Sequence, residues 1–349
     1  MKQIIDHIVS TRNLTLEQLA GLMATEDQEV VGYLFHQSHQ LAQRIYGNKI
    51  FIRGLIEISN HCKNDCLYCG IRRSRTDVHR YRLSKEDILQ CCQQGYNLGF
   101  RTFVLQGGED GWFTDERMCD IVAAIRQQFP DCAITLSLGE RSRESYQRLF
   151  DAGANRYLLR HETADPKHYS RLHPDDMSYD NRMHCLHDLK EIGYQVGCGF
   201  MVGSPFQTVE NLFQDLQFIR SFQPQMVGIG PFIPASGTPF ADRPSGTVDA
   251  TLRLLALIRL LHPQVLLPAT TALGTLHPQG RELGILAGAN VIMPNLSPAA
   301  QRADYSIYDN KLSTGSEAAE TVNDTRYRLG KLGVEVPADR GDYSTVYSE

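Results

Sequence analysis

A chain of 349 residues, 42% hydrophobic and 21% charged, has enough apolar material for one large α/β domain or two small ones. A net charge of −5, with no run of Lys or Arg, speaks against a nucleic-acid-binding face. No apolar stretch reaches the roughly 18 residues of a membrane span, and Met1-Lys-Gln-Ile-Ile-Asp-His7 is too polar for a secretory h-region.

The chain opens with a helical segment, about Leu14–Ile45, and then alternates short β-branched runs with longer amphipathic stretches. The runs are Ile50–Ser59, Thr102–Glu109, Ala133–Gly139, Arg156–Glu162, Gln195–Gly203, Met226–Ile233, Leu266–Ala272 and Asn290–Asn295. Helix starts are legible between them: Ser84 with Asp87 forms a capping-box pattern, and Thr114 and Thr208 precede acidic first turns. Thr247–Leu261 carries a continuous leucine face suited to packing on a sheet. Strict alternation implies right-handed parallel crossovers, and eight repeats fit a (βα)8 TIM-type barrel with chemistry at the C-terminal strand ends. An open doubly wound sheet is the alternative, but no G-x-G-x-x-G turn follows the first strand. The expected organisation is an N-terminal helical segment (1–49), the barrel (50–300) and a polar C-terminal segment (301–349) covering one rim.

Cys62, Cys66 and Cys69 follow the first run in a C-x3-C-x2-C pattern with no fourth cysteine nearby. Three thiolates can hold three irons of a 4Fe–4S cube and leave the fourth open to a chelating molecule. Structural zinc would need four ligands, usually in two pairs; only His61 or His79 stands near, and no second C-x-x-C exists. The six other cysteines, Cys91, Cys92, Cys119, Cys132, Cys185 and Cys198, read as small buried side chains. Free thiols and an oxygen-sensitive cluster together point to a reducing cytoplasm.

Alternation across the fourth run places Arg156, Leu158, Arg160 and Glu162 on one face. Three charges on an inward face are costly unless paired or used, so either an internal Arg–Glu pair or a polar ligand is expected there. Gln106-Gly-Gly-Glu-Asp110 ends the second run, where Gly107 and Gly108 permit close backbone approach and an acid can accept from an amino group. Thr135 and Ser137 add hydroxyls from the third run, and one of Thr270 and Thr271 from the seventh.

The cysteine loop, with Tyr68 before its last cysteine, resembles the radical S-adenosylmethionine (SAM) superfamily. The segments RYLLRHET (from Arg156) and GANVIMPN (from Gly288) are similar, more narrowly, to the HydE family of [FeFe]-hydrogenase maturases. The similarity runs from Ile50 to Tyr308, about three quarters of the chain. It implies one 4Fe–4S cluster on Cys62, Cys66 and Cys69, with SAM chelating the open iron. It further implies SAM contacts from Gly108, Glu109, Ser137, Arg160, Glu162 and Arg182. Thr135, Arg156, Thr270, Thr271, Met293, Tyr305 and Tyr308 would surround the substrate. The implied activity is reductive cleavage of SAM to a 5′-deoxyadenosyl radical that acts on a small iron complex bearing CO and cyanide. Partner maturases and a reductant protein are implied as well. Two features depart from the family: no cysteine follows Cys198, so an accessory cluster is not expected, and Phe206 stands where glycine is usual. Competing readings are a methylornithine synthase-like amino-acid mutase and a non-enzymatic iron–sulfur carrier or scaffold. A biotin synthase would need a second cluster, and Thr102–Glu109 has no cysteine for one.

Overall fold

The computed structural model describes residues 1–313 and 318–344, and in it each apolar run supplies one stave of a parallel barrel. The staves are β1 (Phe51–Ile52) with β2 (Gly54–Ser59), β3 (Thr102–Gly107), β4 (Ala133–Ser137), β5 (Arg156–Leu158), β6 (Gln195–Cys198) with β7 (Met201–Val202), β8 (Met226–Val227) with β9 (Gly230–Pro231), and finally β10 (Val291–Ile292). β2, β3, β4, β5, β6 and β8 form one parallel sheet, with Gly54 opposite Phe103, Thr135 opposite Arg156 and Gly197 opposite Met226. Single bridges, Met226 to Leu266 and Pro268 to Val291, carry the pairing through the seventh run. Phe51 opposite Val291 and Leu55 opposite Asn295 then close the cylinder. The eight-stave barrel expected from the sequence is therefore the fold.

Three helices precede it, α1 (Lys2–Thr11), α2 (Leu16–Ala24) and α3 (Gln28–Tyr46). The sequence reading began only at Leu14 and missed α1, whose signal is the pair Ile5 and Ile8, both fully buried at a helical spacing. The crossover helices start where their caps predict. Ser84 closes a capping box with Asp87 on α4 (Lys85–Asn97), Thr114 caps α5 (Asp115–Gln128), and α6 (Arg143–Asp151), α7 (Pro166–Leu172) and α8 (Tyr179–Ile192) follow. Thr208 closes a box with Asn211 on α9 (Val209–Phe222). On α10 (Val248–Leu261), Leu254, Leu255, Leu257, Ile258 and Leu260 are all fully buried, each such side chain contributing roughly 1.5–3 kcal/mol. Among the described residues no helix is long and apolar enough to cross a membrane.

The C-terminal segment is not confined to one rim, as the sequence reading had it. Tyr305 and Lys311 reach the mouth, where Gln106 Nε2 donates to Tyr305 Oη and Lys311 lies against Glu57. Residues 340–342 instead plug the opposite end, where the staves begin. There Arg156 donates to Thr102 Oγ1 (3.2 Å), to the Arg340 carbonyl (3.0 Å) and to Asp342 Oδ1 (2.6 Å). Arg53, also buried, donates to the Gly341 carbonyl at 3.4 Å. Arg156 thus pairs with the carboxylate of Asp342, while Arg53 is held by the backbone of the same segment. Removing one partner of a fully buried pair costs about 3–5 kcal/mol. Asp342 is half-exposed, so Asp342→Ala is expected to cost less, about 2 kcal/mol. A lowered thermal midpoint would register it, and an unchanged one would show that water already compensates Arg156.

Candidate active site

The cysteine loop leaves β2 at the C-terminal end of the barrel and is held from three sides. Lys63 N–H donates to the Glu109 carbonyl after β3 (2.9 Å), Leu67 N–H to the Leu172 carbonyl of α7 (3.0 Å), and Gly70 N–H to the Ile307 carbonyl of the C-terminal segment (2.9 Å). Arg80 gathers the carbonyls of Asn60, Ile71, Arg72 and Arg75 beneath it. Tyr68 donates its hydroxyl to His173 Nε2 (3.2 Å), because His173 Nδ1–H is committed to the Tyr169 carbonyl (2.9 Å). Burial holds that imidazole neutral, its pKa lowered to about 3.

All three loop cysteines are free and line a single cavity of about 370 Å³. Burial pushes the Cys69 thiol up to about 12 and the Cys66 thiol well above its ordinary value. Thiols shifted this way hold their protons at neutral pH until a bound metal displaces them. The N–H groups of Asn64 and Glu109 act on Cys62, and that of Ile71 on Cys69, as the donors that steady cluster thiolates do. Of the two nearby histidines, His79 is turned to Asp304, its Nδ1 2.9 Å from Oδ2. Among the described residues no three His, Cys, Asp or Glu side chains converge on a single ion. The donor set suits a cube with separately held corners.

Around the sulfurs the wall needs glycine. A Cβ on Gly108 would stand 2.2 Å from the His61 carbonyl oxygen and 2.8 Å from Cys62 Cβ, so only glycine lets the end of β3 lie on the cysteine loop. Gly139, at φ +73°, likewise makes room for the Glu109 side chain. Ser137 joins them from the end of β4. Past β5 the alternation expected through Glu162 fails: Leu158 and Leu159 both line the cavity, and Glu162 sits in left-handed backbone at φ 64°. A side chain there costs about 1–2 kcal/mol, and Glu162 lines the cavity from this conformation.

Arg160 Nη2 and Glu162 Oε2 lie 3.5 Å apart, beyond a good hydrogen bond, and each is buried without a hydrogen-bond partner. Orphaned polar atoms of opposite charge on one wall are what a zwitterionic ligand would satisfy. Arg182 stands behind them, its Nε donating to Glu140 (2.5 Å) and its Nη1 to the Arg160 carbonyl (2.7 Å).

The cavity brings together Gly108, Glu109, Ser137, Arg160, Glu162, Arg182, Thr270, Thr271, Met293, Tyr305 and Tyr308. Thr270 and Thr271 both line it, where alternation allowed one. The helix α11 (Thr271–Leu276) begins inside the seventh run, with Thr270 at its N-cap position, so strand parity no longer applies; α12 (Gly280–Leu286) follows. Thr135 and Arg156 are corrected: they do not line this cavity. Each shares inward parity with a lining residue but lies two positions earlier, about 7 Å deeper at the usual strand rise. They border a separate small void with Arg53, Gln195 and Gln225, while Leu158 and Met226 border both spaces. The partner of Arg156 is Asp342 rather than Glu162. The sequence reading missed Glu57, Gln106 and Lys311 as lining residues. A lone acid inside the apolar run Gly-Leu-Ile-Glu-Ile was the available signal for the first.

Phe206 keeps the backbone that glycine would supply, at φ 68°. The guanidinium groups of Arg171 (3.5 Å) and Arg243 (4.9 Å) lie over its ring, contacts that offset the strain.

The radical SAM superfamily model matches residues 56–219. Over 336 residues the chain is 44% identical to the [FeFe] hydrogenase maturase subunit HydE of Thermotoga maritima, covering 96% of each protein. It is 27% identical over 343 residues to 3-methylornithine synthase of Methanosarcina acetivorans, covering 98% of this chain and 95% of that one. The crystal structure of methylornithine synthase (PylB) superposes with a TM-score of 0.85 at 26% identity, over 95% of this chain and 97% of that one. The maturase HydG superposes with a TM-score of 0.78 at 22% identity, over 95% and 74% respectively, a likeness of fold alone.

Proposed function

We propose, from the premise that the chain belongs to the radical SAM superfamily and within it to the HydE family of hydrogenase maturases, that its cavity works on an iron complex bearing CO and cyanide during assembly of the [FeFe]-hydrogenase active-site cluster. As a member of that superfamily the chain is an enzyme that uses a 4Fe–4S cluster and SAM. Together these cofactors supply, when bound, one-electron cleavage of the sulfonium to a 5′-deoxyadenosyl radical.

The chain's own residues divide that task. Cys62, Cys66 and Cys69 would hold the cluster. Glu109, beside Gly108, would accept from the amino group of SAM, and Arg182 would face its carboxylate with the N–H groups not used by Glu140 and Arg160. Ser137, Arg160 and Glu162 complete that wall. Thr270, Thr271, Met293, Tyr305 and Tyr308 surround the remaining space, where the closed barrel and the Tyr305–Tyr308 segment exclude water from a reactive species. Partner maturases and a reductant protein belong to this reading.

The single observation behind it is 44% identity to HydE over 96% of the chain. The test is hydrogenase matured in a defined mixture with and without this protein; activity that does not depend on it would overturn the proposal. Likeness to methylornithine synthase makes a second assay worthwhile, and conversion of lysine would favour the mutase. Since no cysteine follows Cys198, anaerobically reconstituted protein is expected to bind about four irons. A count near eight would contradict a single cube.

A further inference from the structure

One wall of the cavity carries a charge pair that the division above leaves idle. Glu57, on β2, is fully buried, and both its oxygens are engaged: Lys311 Nζ lies 2.6 Å from Oε1 and Asn295 Nδ2 donates to Oε2 at 2.8 Å. Lys311 comes from the C-terminal segment, its side chain is only 8% exposed, and it lines the cavity. The Tyr305 ring lies 5.2 Å from its ammonium, with the Tyr305 hydroxyl held by Gln106.

An ammonium has three N–H donors. Glu57 takes one, and among the described residues no other hydrogen-bond acceptor meets Lys311 Nζ. The open valence of this wall is therefore a donor with positive charge, since both carboxylate oxygens already have partners. A lysine enclosed to this degree and left with open donors is suited to an acceptor that arrives with the ligand. Such a wall does not suit the ammonium end of an amino acid.

We infer that Lys311 receives an anionic acceptor group of the substrate, a carboxylate or a cyanide-type ligand, and that Glu57 is the positioning residue that holds the ammonium in place. This rests on the reading of the cavity as a substrate site given above. A purely structural pair, tying the C-terminal segment to β2, makes a different prediction. It would respond alike to loss of either partner, whereas an anion site responds to the two in opposite directions.

The experiment uses the full chain with cluster reconstituted and SAM saturating, titrated with ¹³C-labelled acetate and, separately, ¹³C-labelled cyanate, each followed by NMR line broadening. Wild type and Lys311→Arg are expected to broaden at least one probe. Acetate alone would identify carboxylate recognition, and cyanate alone recognition of a linear pseudohalide. Lys311→Met should weaken that response at least tenfold. Glu57→Gln should preserve or strengthen it, because the amide oxygen still accepts from the ammonium and holds it in place while the competing negative charge is gone. The double variant Glu57→Gln/Lys311→Met, which buries no unpaired charge, should fold and still lack the response. No broadening in the wild type, or equal losses in Glu57→Gln and Lys311→Met, would overturn the inference. Maturation separates the two claims: full activity in Lys311→Met sinks this inference alone, while a wild type that never supports maturation sinks the proposed function.

Discussion

Cys66→Ala is expected to remove iron and SAM cleavage together. Cys66 lines the cavity beside Cys62 and Cys69, and burial keeps all three thiols protonated until metal displaces the protons. With one sulfur gone, two thiols must still lose their protons in a buried site, now for a cube with two uncovered corners. Loss of a residue that merely orients a metal ligand costs about 10–100-fold, so loss of a ligand itself should exceed roughly 100-fold. The fold should survive, since the loop is held by backbone hydrogen bonds to Glu109, Leu172 and Ile307 that do not involve the sulfur. Iron per chain and 5′-deoxyadenosine formed after reduction are the two readouts, with a melting curve as control. Cleavage retained at the wild-type rate would remove the loop as the cluster site.

What the sequence made legible was local. The cysteine spacing, the caps at Ser84, Thr114 and Thr208, and the glycines before Glu109 each act within a few residues, and each stands where its pattern said. Alternation along a stave was reliable for direction but not for depth. Thr135 and Ser137 point the same way, yet only Ser137 reaches the cavity. It also failed where a stave ended sooner than its β-branched run, as after Leu158 and at Thr270, because parity means nothing once the chain leaves the sheet. The pairs that decide what a charged residue does were the least visible. Arg156 meets Asp342 and Glu57 meets Lys311 across 186 and 254 positions of chain. No periodicity of either segment encodes those meetings. A polar tail with weak apolar patterning, expected over one rim only, gave no sign that it would also plug the floor.

Arg182→Ala is expected to weaken SAM binding by about 10–100-fold, the worth of one charged hydrogen-bonding group, while leaving the iron content intact. Arg182 is buried on α8 and orders two neighbours, Glu140 through Nε and the Arg160 carbonyl through Nη1. Its loss therefore removes a donor for the SAM carboxylate and also loosens the backbone that carries Arg160. Glu140 would not become a stranded buried charge: it is 16% exposed and still accepts from Asn181 Nδ2 at 2.6 Å. The protein should accordingly fold, and the three cysteines, whose loop Arg182 does not hydrogen-bond, should assemble the cluster as before. Lysine should recover only part of the affinity, because a point charge cannot fork to Glu140 and the Arg160 carbonyl while facing a ligand. Anaerobic calorimetry on reconstituted protein reads the effect directly. A wild-type Kd for SAM in Arg182→Ala would take this residue out of the SAM site and leave Arg160 and Glu162 as its charged wall.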